Sequence, residues 1–474
     1  MGEVKNYVPK VDLSLLNDDQ KKAFECLKDY ICDKNDDSIY VLKGWAGTGK
    51  TFCVSILVRF VLDVIHPNKK WYKVALTGPT NKSVRVIKKT AGIINPRVTF
   101  QTIHKMLGLT ERITSDGRQE FVNKGDFAPP INSIKLIIID EVSMLNDELF
   151  QEIIKHRDRL KIICMGDPAQ IPPVGKHDCI PFRDDMVDFY GIKTLELKKI
   201  MRQKEGNPII ETSILIRSDL TNPRIKLDNL SKTNEKGEGI EYLNLNDTNI
   251  KNDFNLSLER YFKSEDFSKN PEFTKVIAWR NKTVSTMNSL VRRIIYGDDA
   301  IGNKILIGEK LIANNPITEH EQILFNTNDE FTVEGHKIKE NKFKIEGKDY
   351  RLNYYETAVS CLDDDDKKIT SYIDILHEDS ESQFYIISNI LKKIAMEKKG
   401  KERSWIRYYD FLRKYADVSY AYAITAHKSQ GSTYSITFVL DDDIDVNTNI
   451  IERNRIKYTS YTRSSLKLYV LKRF

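Results

Sequence analysis

A glycine-rich loop near the N-terminus constrains this chain more than any other feature of its sequence. Residues 44–51 read GWAGTGKT, and they lie between an apolar run typical of a strand, Ile39 to Leu42, and an apolar run typical of a helix, Phe52 to Ile65. The glycines let the backbone curl so that successive N–H groups and a helix N-terminus point at phosphate oxygens. A chance glycine-rich turn is disfavoured, because the strand and helix that the motif requires are both present. The loop therefore predicts a nucleoside triphosphate site.

Two side chains of this loop supply its chemistry. Lys50 brings a positive charge to the β- and γ-phosphates, and the Thr51 hydroxyl is a ligand for Mg²⁺. We therefore predict Lys50 as a catalytic residue and Thr51 as a metal ligand. The whole loop is predicted to bind the nucleotide, and its residues are Gly44, Trp45, Ala46, Gly47, Thr48, Gly49, Lys50 and Thr51.

Length and composition indicate a globular protein with more than one domain. A chain of 474 residues exceeds what one hydrophobic core usually holds. No apolar run approaches the roughly 18 to 20 residues of a membrane helix. Residues Met1 to Asp12 carry charges where a secretory signal would be apolar. We therefore expect a cytoplasmic protein without a membrane partner.

Net charge and cysteine content narrow the classes of partner. The formal charge of +6 is modest for this length, so it permits a polyanionic partner without requiring one. The six cysteines are scattered and form no CxxC pair. This spacing disfavours a zinc site and a disulfide framework.

Short β-branched runs recur along the chain with helical segments between them. Such runs are typical of buried parallel strands, so the pattern predicts an α/β fold. The runs are Lys73 to Leu76, Lys135 to Ile139, Lys161 to Met165, Lys275 to Trp279, Ile436 to Leu440 and Lys467 to Leu471.

Two stretches depart from this α/β pattern. Glu111 to Lys124 alternates around Asp116-Gly117, which predicts a β-hairpin. Residues from about 300 to 415 lack a long α/β alternation and contain short alternating runs, so we expect a small β-rich insertion. The acidic run Asp363 to Asp366 is interpreted as a solvated loop.

Two carboxylates end one of the apolar strands. The segment Ile137 to Met144 reads IIIDEVSM, which is the Walker B pattern. Asp140 is predicted to hold Mg²⁺, directly or through water, and Glu141 to take a proton from the attacking water. A strand that ends in Asp-Glu often only caps a turn, but an upstream phosphate-binding loop favours the functional interpretation.

Further motifs follow in a fixed order. Together with the two motifs above, the set resembles that of the superfamily 1B DNA helicases of the RecD and Dda type, and length and spacing resemble the Dda-type bacteriophage enzymes most. From residue 20 to residue 463 the resemblance covers nearly the whole chain. The additional motifs are Met165 to Gln170 (MGDPAQ), Ile171 to Gly175 (IPPVG), Met201 to Gln203 (MRQ), His427 to Thr433 (HKSQGST) and Tyr461 to Arg463 (YTR).

The resemblance implies a domain plan. Two RecA-like parallel-sheet motor domains, a β-hairpin pin and a small SH3-like insertion are expected. The ranges are 1–108 and 131–196 for motor domain 1A, 109–130 for pin 1B, 197–298 and 416–474 for motor domain 2A, and 299–415 for insertion 2B.

The resemblance also implies ATP as the nucleotide and assigns further residues to its site. Gln20 resembles the glutamine that reads adenine, and Gln170 the glutamine that senses the γ-phosphate. Arg202 and Arg463 match two arginines that stabilise phosphoryl charge from the second motor domain. Gly431 lies where its motif reaches back toward the nucleotide.

Other matched positions are implied to hold single-stranded DNA. Hydroxyl groups and positive charges of this kind position a phosphate chain without reading its sequence. His104 alone would more often be a structural histidine. The residues are Thr80, Asn81, Thr102, His104, Thr425, His427, Lys428 and Ser429.

The hairpin and the insertion leave alternatives open. Phe121 either supports the duplex junction and binds DNA, or packs the hairpin onto the motor domain. The tract Lys392 to Arg403 with Trp405 is either a contact surface of the insertion or a solvated helical face.

By resemblance, the expected function is ATP-dependent, 5′-to-3′ translocation on single-stranded DNA with unwinding of a duplex fork. A monomeric motor is expected, with a single-strand-binding or replication protein as a possible partner, in the host cytoplasm if a phage encodes it. Phage replication or recombination is the pathway that similarity suggests. The alternatives are an NTPase switch or recruitment factor that does not unwind processively, and an RNA-directed helicase. A small-molecule kinase leaves the later motifs without a role.

Overall fold

The computed structural model describes most of the chain. The described residues are 11–116, 118–123, 128–173, 175–176, 178–200, 207–223, 231–235, 237–244, 246–319, 322–362, 367–397 and 402–472. Arg202 and the acidic run at 363–366 lie outside these residues, as does Gly117 of the hairpin turn.

The strands and helices of the described residues are numbered in chain order. The strands are β1 (Ile39–Gly44), β2 (Lys73–Gly78), β3 (Val98–Thr102), β4 (Leu109–Ile113), β5 (Gln119–Asn123), β6 (Ile134–Ile139), β7 (Lys161–Gly166), β8 (Ile192–Leu197), β9 (Lys232–Thr233), β10 (Gly239–Asn244), β11 (Thr274–Ala278), β12 (Lys310–Ala313), β13 (Ile317–Glu319), β14 (Gln322–Phe325), β15 (Glu330–Ile345), β16 (Lys348–Leu362), β17 (Lys368–Leu376), β18 (Val418–Tyr420), β19 (Ala423–Thr425), β20 (Tyr434–Leu440) and β21 (Ser464–Lys472). The helices are α1 (Asp18–Cys32), α2 (Lys50–Phe60), α3 (Asn81–Ala91), α4 (Ile103–Met106), α5 (Asp147–Ile154), α6 (Asp184–Tyr190), α7 (Pro208–Ser218), α8 (Thr248–Phe262), α9 (Glu265–Lys269), α10 (Asn281–Tyr296), α11 (Glu381–Glu397), α12 (Glu402–Leu412), α13 (Asp441–Asp445) and α14 (Ile450–Tyr461). A π-helical turn, Val61–Ile65, extends α2.

The first sheet is parallel throughout and has the strand order β3-β2-β6-β7-β1-β8. Neighbouring residues of β6 enter two different cores: Ile138 packs in the cluster that contains Leu57 of α2, and Ile139 packs in the cluster that contains Phe150 of α5. Helices therefore cover both faces, which explains why β6 reads as a continuous apolar run. The carboxyl ends of its strands meet at one edge, where α/β proteins bind ligands.

The second sheet has the order β19-β11-β20-β21-β10-β9, with only β9 antiparallel to its neighbour. Val276 and Ile277 of β11 also enter separate cores on the two faces. Every β-branched run named above forms a strand of one of these two sheets. The predicted α/β fold class, with two parallel sheets, is confirmed.

The two predicted departures from this pattern are also β structures. Strands β4 and β5 form the hairpin, with Phe121 opposite Glu111. An antiparallel sheet of order β17-β16-β15-β12-β18 forms the β-rich insertion. Strand β18 joins this sheet although it follows residue 415, and the domain limits stay predictions.

The segment predicted to be β-rich also contains two helices, which overlap the tract for which a helical face was one of the two interpretations. Helices α11 and α12 pack together, and Leu391, Phe411 and Tyr415 share a core with Leu352 of β16. Trp405 is buried, so the tract that contains it is not a wholly solvated face. None of the described helices is long and apolar enough to cross a membrane.

Candidate nucleotide and nucleic-acid sites

The phosphate-binding loop follows β1 and ends where α2 begins at Lys50. Gly47 has a φ of 81° and Gly49 a φ of 75°, a left-handed conformation that favours glycine. A Cβ on Gly49 would also lie 2.6 Å from Nε2 of Gln20. The glycines are therefore required by the backbone path of the loop.

Lys50 bonds to the loop itself and Thr51 lies beside Asp140, so both are placed at the loop while their roles stay predictions. The Lys50 ammonium donates to the carbonyl oxygens of Gly44 (2.8 Å) and Trp45 (3.1 Å). Oγ1 of Thr51 lies 3.5 Å from Oδ2 of Asp140. A hydroxyl beside a carboxylate at the mouth of the loop fits an Mg²⁺ ion, and the ammonium fits the β- and γ-phosphates.

Asp140 and Glu141 lie at the carboxyl end of β6. Burial and the nearby Glu141 carboxylate raise the pKa of Asp140 to about 6, although Lys50 opposes the shift. A bound divalent cation would reverse this balance by favouring the charged carboxylate. Glu141 has a φ of 51° and a ψ of 42°, a conformation that costs free energy for a residue with a side chain. Such strain is typical of a functional position.

Gln20 lies against the loop, and its amide is already bonded. Its Nε2 donates to the carbonyl of Thr48 at 3.0 Å, and its Oε1 accepts from the N–H of Asn17 at 3.1 Å. Each amide atom keeps one further bonding position. The adenine role stays a prediction.

Gln170 lies beside contacts that join the two parallel sheets. Its Oε1 is buried and accepts no hydrogen bond within the described chain. The next residue, Ile171, donates its N–H to Oγ1 of Thr459 (3.3 Å) and accepts from Nε2 of Gln430 (2.8 Å). A glutamine with an unbonded oxygen at this boundary is suited to sense a ligand in the cleft.

The predicted DNA-binding threonines of the first sheet also cap helices. Thr80 accepts a bond from the N–H of Ser83 at 3.1 Å, and Thr102 accepts from the N–H of Lys105 at 3.4 Å. Asn81 is the first residue of α3. The positive end of α3 is thus located at Thr80 and Asn81, an arrangement that favours a phosphate group.

The ring of His104 contacts the ring of Phe121 at 5.0 Å between centroids. Phe121 nevertheless remains 61% exposed. Burial lowers the pKa of His104 below its ordinary value, which favours a neutral ring at neutral pH. The structure is compatible with both sequence interpretations of Phe121, because the side chain contacts His104 of the first sheet region and still has a face exposed to solvent.

The motif at 425–431 is held between the second sheet and the insertion. Oγ1 of Thr425 accepts from the N–H of Lys428 (3.3 Å), and the buried Ser429 hydroxyl donates to the carbonyl of Ala426 (2.7 Å). The Lys428 ammonium donates to Oδ1 of Asn314 at 2.9 Å. Burial lowers the pKa of both His427 and Lys428, so at neutral pH the positive charge of this segment resides on the lysine.

Comparison with known proteins adds to this geometry. A family model described as an AAA domain matches residues 15–237, and one described as a UvrD-like helicase C-terminal domain matches residues 420–471. An uncharacterised protein of Acanthamoeba polyphaga mimivirus is 28% identical, over 96% of this chain and 99% of its own. The ATP-dependent DNA helicase dda of Enterobacteria phage T4 is 25% identical, over 90% of this chain and 92% of its own. The chain is therefore similar to helicases over nearly its whole length, as its ordered motifs also indicate.

Among solved structures, a Bacteroides Pif1 helicase in complex with ADP-AlF3 and single-stranded DNA matches this helicase with a TM-score of 0.46. The two are 16% identical, and the match covers 96% of this chain and 92% of that chain.

Of the two predicted arginines, Arg463 lies within the described residues and bonds to backbone carbonyls beside the second sheet. Arg463 is buried, and its guanidinium donates to the carbonyls of Thr459 (3.0 Å) and Ser432 (3.2 Å). Gly431 lies by α3, where an added Cβ would meet Ser83 at 3.8 Å. The roles of Arg463 and Gly431 therefore stay predictions, and the Arg202 role lies outside the described residues.

A buried hydrogen-bond network lies between the first and second parallel sheets, and the sequence motifs did not predict it. The Tyr458 hydroxyl donates to Oδ2 of Asp167 (2.6 Å) and accepts from the N–H of Ala46 in the loop (3.2 Å). Nε and Nη2 of Arg217 both lie 3.2 Å from Oδ1 of Asp167, and the guanidinium covers the Trp45 ring at 4.9 Å. The only available sequence signal was the position of Asp167 and Tyr458 within or beside helicase motifs.

An ion cluster also joins α3 to the insertion. Nζ of Lys82 lies 3.7 Å from Oε1 of Glu330 and 3.3 Å from Oε1 of Glu272. The fully buried Lys275 pairs with Oε2 of Glu330 at 2.9 Å. The first sheet therefore contacts the second sheet and the insertion through charges next to the predicted DNA-binding residues Thr80 and Asn81.

Proposed function

We propose that this helicase is an ATP-driven motor that moves 5′-to-3′ on single-stranded DNA and separates a duplex at the β4–β5 hairpin. The hydrogen bond from the Ala46 N–H to the Tyr458 hydroxyl carries the proposal. It makes the phosphate-binding loop one wall of a cleft whose other wall is α14 of the second sheet. A change at the phosphates is then linked mechanically to the second motor domain.

In the proposed mechanism, loop N–H groups and Lys50 would hold the phosphates, and Thr51 and Asp140 would hold the metal. Bound Mg²⁺ would neutralise part of the phosphate charge. Glu141 accepts the proton of the attacking water. Arg463 leaves its carbonyl partners and turns to the transferring group when the cleft closes, because a guanidinium suits that charge.

Closure and reopening of the cleft move two grips along the strand. Thr80, Asn81 and Thr102 form one grip at helix N-termini of the first sheet. Thr425 and Lys428 belong to the other grip beside the second sheet. Because the grips approach and separate in each cycle, the protein advances on one strand.

The relatives support the substrate class. The phage T4 relative is named an ATP-dependent DNA helicase, which supports DNA as the proposed substrate. The 5′-to-3′ direction is part of the proposal and is expected from the resemblance to the Dda-type enzymes. We propose a monomeric motor acting in the cytoplasm of a host cell, with a single-strand-binding or replication protein as partner.

ATP hydrolysis with and without nucleic acid tests the substrate. We expect single-stranded DNA to stimulate turnover more than RNA of matched sequence, and Lys50→Ala to lower stimulated turnover at least about a hundredfold while strand affinity stays within about threefold. Full turnover in Lys50→Ala would reject the site assignment. Equal or greater stimulation by RNA would favour the RNA-directed alternative.

A further inference from the structure

A cleft in the insertion lies outside all of the helicase motifs. It is formed where the end of β15 meets α11 and α12, and its volume is about 380 Å³. That volume lies within the range of ligand sites. The cleft is lined by Phe343, Lys344, Ile345, Leu391, Arg407, Asp410, Phe411 and Lys414.

Positive charge dominates the rim of this cleft. Lys344, Arg407 and Lys414 face a single carboxylate, that of Asp410. Across the described ranges, no ion pair joins any of these three cations to an acidic residue. All three are exposed. Unpaired cations around a concave surface produce a positive potential that attracts a polyanion.

An aromatic surface lies within the same cleft. The half-buried Phe343 ring packs edge-on against Phe411, with 5.3 Å between centroids. Nζ of Lys414 lies 5.9 Å from the centroid of Phe343. Aromatic rings among cations are typical of surfaces that bind nucleic acid strands, because bases stack on the rings while phosphates meet the charges.

The cleft is located near the hairpin that we propose as the point of strand separation. Helix α12, which supplies Arg407 and Phe411, lies against β4 of that hairpin. A nucleic acid arm at the fork therefore passes close to α12. An acidic peptide could also bind the cations, but the position of the cleft beside the hairpin favours a nucleic acid arm over a peptide.

We propose that this cleft binds the phosphate backbone of a DNA arm at the fork, apart from the strand on which the motor moves. The inference rests on the proposed function. The ligand that the cleft recognises is a phosphodiester chain with bases that can stack. Both the displaced strand and the duplex ahead of the motor contain such a chain. The cleft keeps one arm away from the other and thereby helps unwinding.

Binding without nucleotide tests the proposal by fluorescence anisotropy. The test variant is Arg407→Ala/Lys414→Ala, and the matched control is Lys392→Ala/Lys393→Ala on the neighbouring helix α11, which removes the same charge from exposed positions. The three labelled probes are a single strand, a duplex with a 5′ single-stranded tail, and a fork that carries both single-stranded arms. Thermal unfolding of each variant verifies that the fold is retained.

We expect the test variant to bind the fork about tenfold more weakly, with the slope of log K against log salt reduced by about two, because two phosphate contacts are lost. Affinity for the single strand should stay within about twofold, and the control should match the wild type. If the variant binds the fork more weakly but binds the tailed duplex normally, the cleft holds the displaced strand. If it binds both probes more weakly, the cleft holds the duplex ahead of the motor.

Three results would overturn the proposal: unchanged fork affinity, an equal loss for the single strand, or an equal loss in the control. The proposed motor function fails by a different observation. A wild-type protein that binds forks but neither hydrolyses ATP nor unwinds would reject the motor and leave this binding result standing.

Discussion

The phenolic oxygen of Tyr458 lies 3.2 Å from the amide nitrogen of Ala46, and this hydrogen bond crosses from the second parallel sheet to the phosphate-binding loop. The same hydroxyl donates to the fully buried Asp167 at 2.6 Å. Burial raises the pKa of Tyr458 well above its ordinary value, with the Asp167 charge acting in the same direction. The hydroxyl therefore stays protonated at neutral pH and remains a donor to Asp167.

We predict that Tyr458→Phe uncouples ATP turnover from DNA. The ring still packs, but the loop loses its bond to α14 while Asp167 keeps Arg217. DNA-stimulated kcat should fall about tenfold, which corresponds to roughly 1.4 kcal/mol of transition-state free energy, and unstimulated turnover should change much less.

Tyr461→Phe provides a matched control for that variant. Tyr461 lies on the same helix, and its hydroxyl donates to the buried Asp441 at 3.0 Å, within the second sheet layer. Its loss should destabilise the fold by about 1 to 3 kcal/mol without a selective loss of DNA stimulation. Equal loss of stimulation in both variants would show that the cross-sheet bond has no special role.

Phe121→Ala should lower unwinding more than it lowers single-strand-stimulated ATP hydrolysis. In the proposed mechanism the exposed face of Phe121 would meet the fork, while its ring contact with His104 holds the hairpin against the first sheet. We expect a loss of about fivefold to tenfold in unwinding rate, since a stacking contact is worth about 1 to 3 kcal/mol. Phe189→Ala, which removes an exposed ring on α6, is the control. Equal effects on both activities, or on neither, would reject a role in strand separation.

Glu330→Gln should destabilise the protein strongly. Lys275 is 1% exposed, and its ammonium would keep the Ala421 carbonyl at 2.6 Å but lose the negative charge of the Glu330 carboxylate. Breaking a buried pair from one side costs about 3 to 5 kcal/mol, so the urea midpoint of unfolding should fall clearly.

Glu334→Gln on the same strand is the comparison for Glu330→Gln. Its pair with Lys368, at 2.8 Å, is partly exposed, and such pairs contribute about 0 to 1 kcal/mol. Similar urea midpoints for the two variants would contradict the importance of the buried cluster.

His427 should make stability depend on pH. Burial lowers its pKa in the folded protein, with a weaker opposing effect of Glu452, whereas the unfolded chain protonates near 6.5. Below that pH the unfolded state binds more protons, so the free energy of unfolding falls as pH decreases toward the folded pKa. Above about pH 7 this contribution is fully present.

The measurement compares thermal unfolding at pH 7.5 and pH 5.5 in wild type and in His427→Gln. The variant should lose less stability over this interval, because every other titrating group is common to both proteins. An equal or larger loss in the variant would contradict the assigned direction.

Local patterns in the sequence predicted the sheets because buried parallel strands require continuous apolar runs. Lys135 to Ile139 is an example, since both faces of β6 are covered. The Asp116-Gly117 turn predicted the hairpin for a similarly local reason. The helices α11 and α12 were anticipated only in part, as the alternative of a helical face over Lys392 to Arg403 with Trp405, because short alternating runs dominated the pattern of the insertion.

The cross-sheet contacts could not be predicted from periodicity. Asp167 meets Arg217 across 50 residues and Tyr458 across 291 residues, and nothing local to any of them encodes the pairing. The helicase motifs located Lys50, Thr51 and Asp140 correctly as neighbours, since each follows a strand of one parallel sheet. They did not indicate that Arg463 would bond to the carbonyls of Thr459 and Ser432.

Unwinding of duplexes with either a 5′ or a 3′ single-stranded tail tests the central claim most directly. We predict ATP-dependent strand separation of the 5′-tailed duplex, little separation of the 3′-tailed duplex, and none of either by Lys50→Ala. Preference for the 3′ tail would contradict the direction of movement. Stimulated ATP hydrolysis without separation of either duplex would contradict the unwinding motor and favour a nucleic-acid-bound switch.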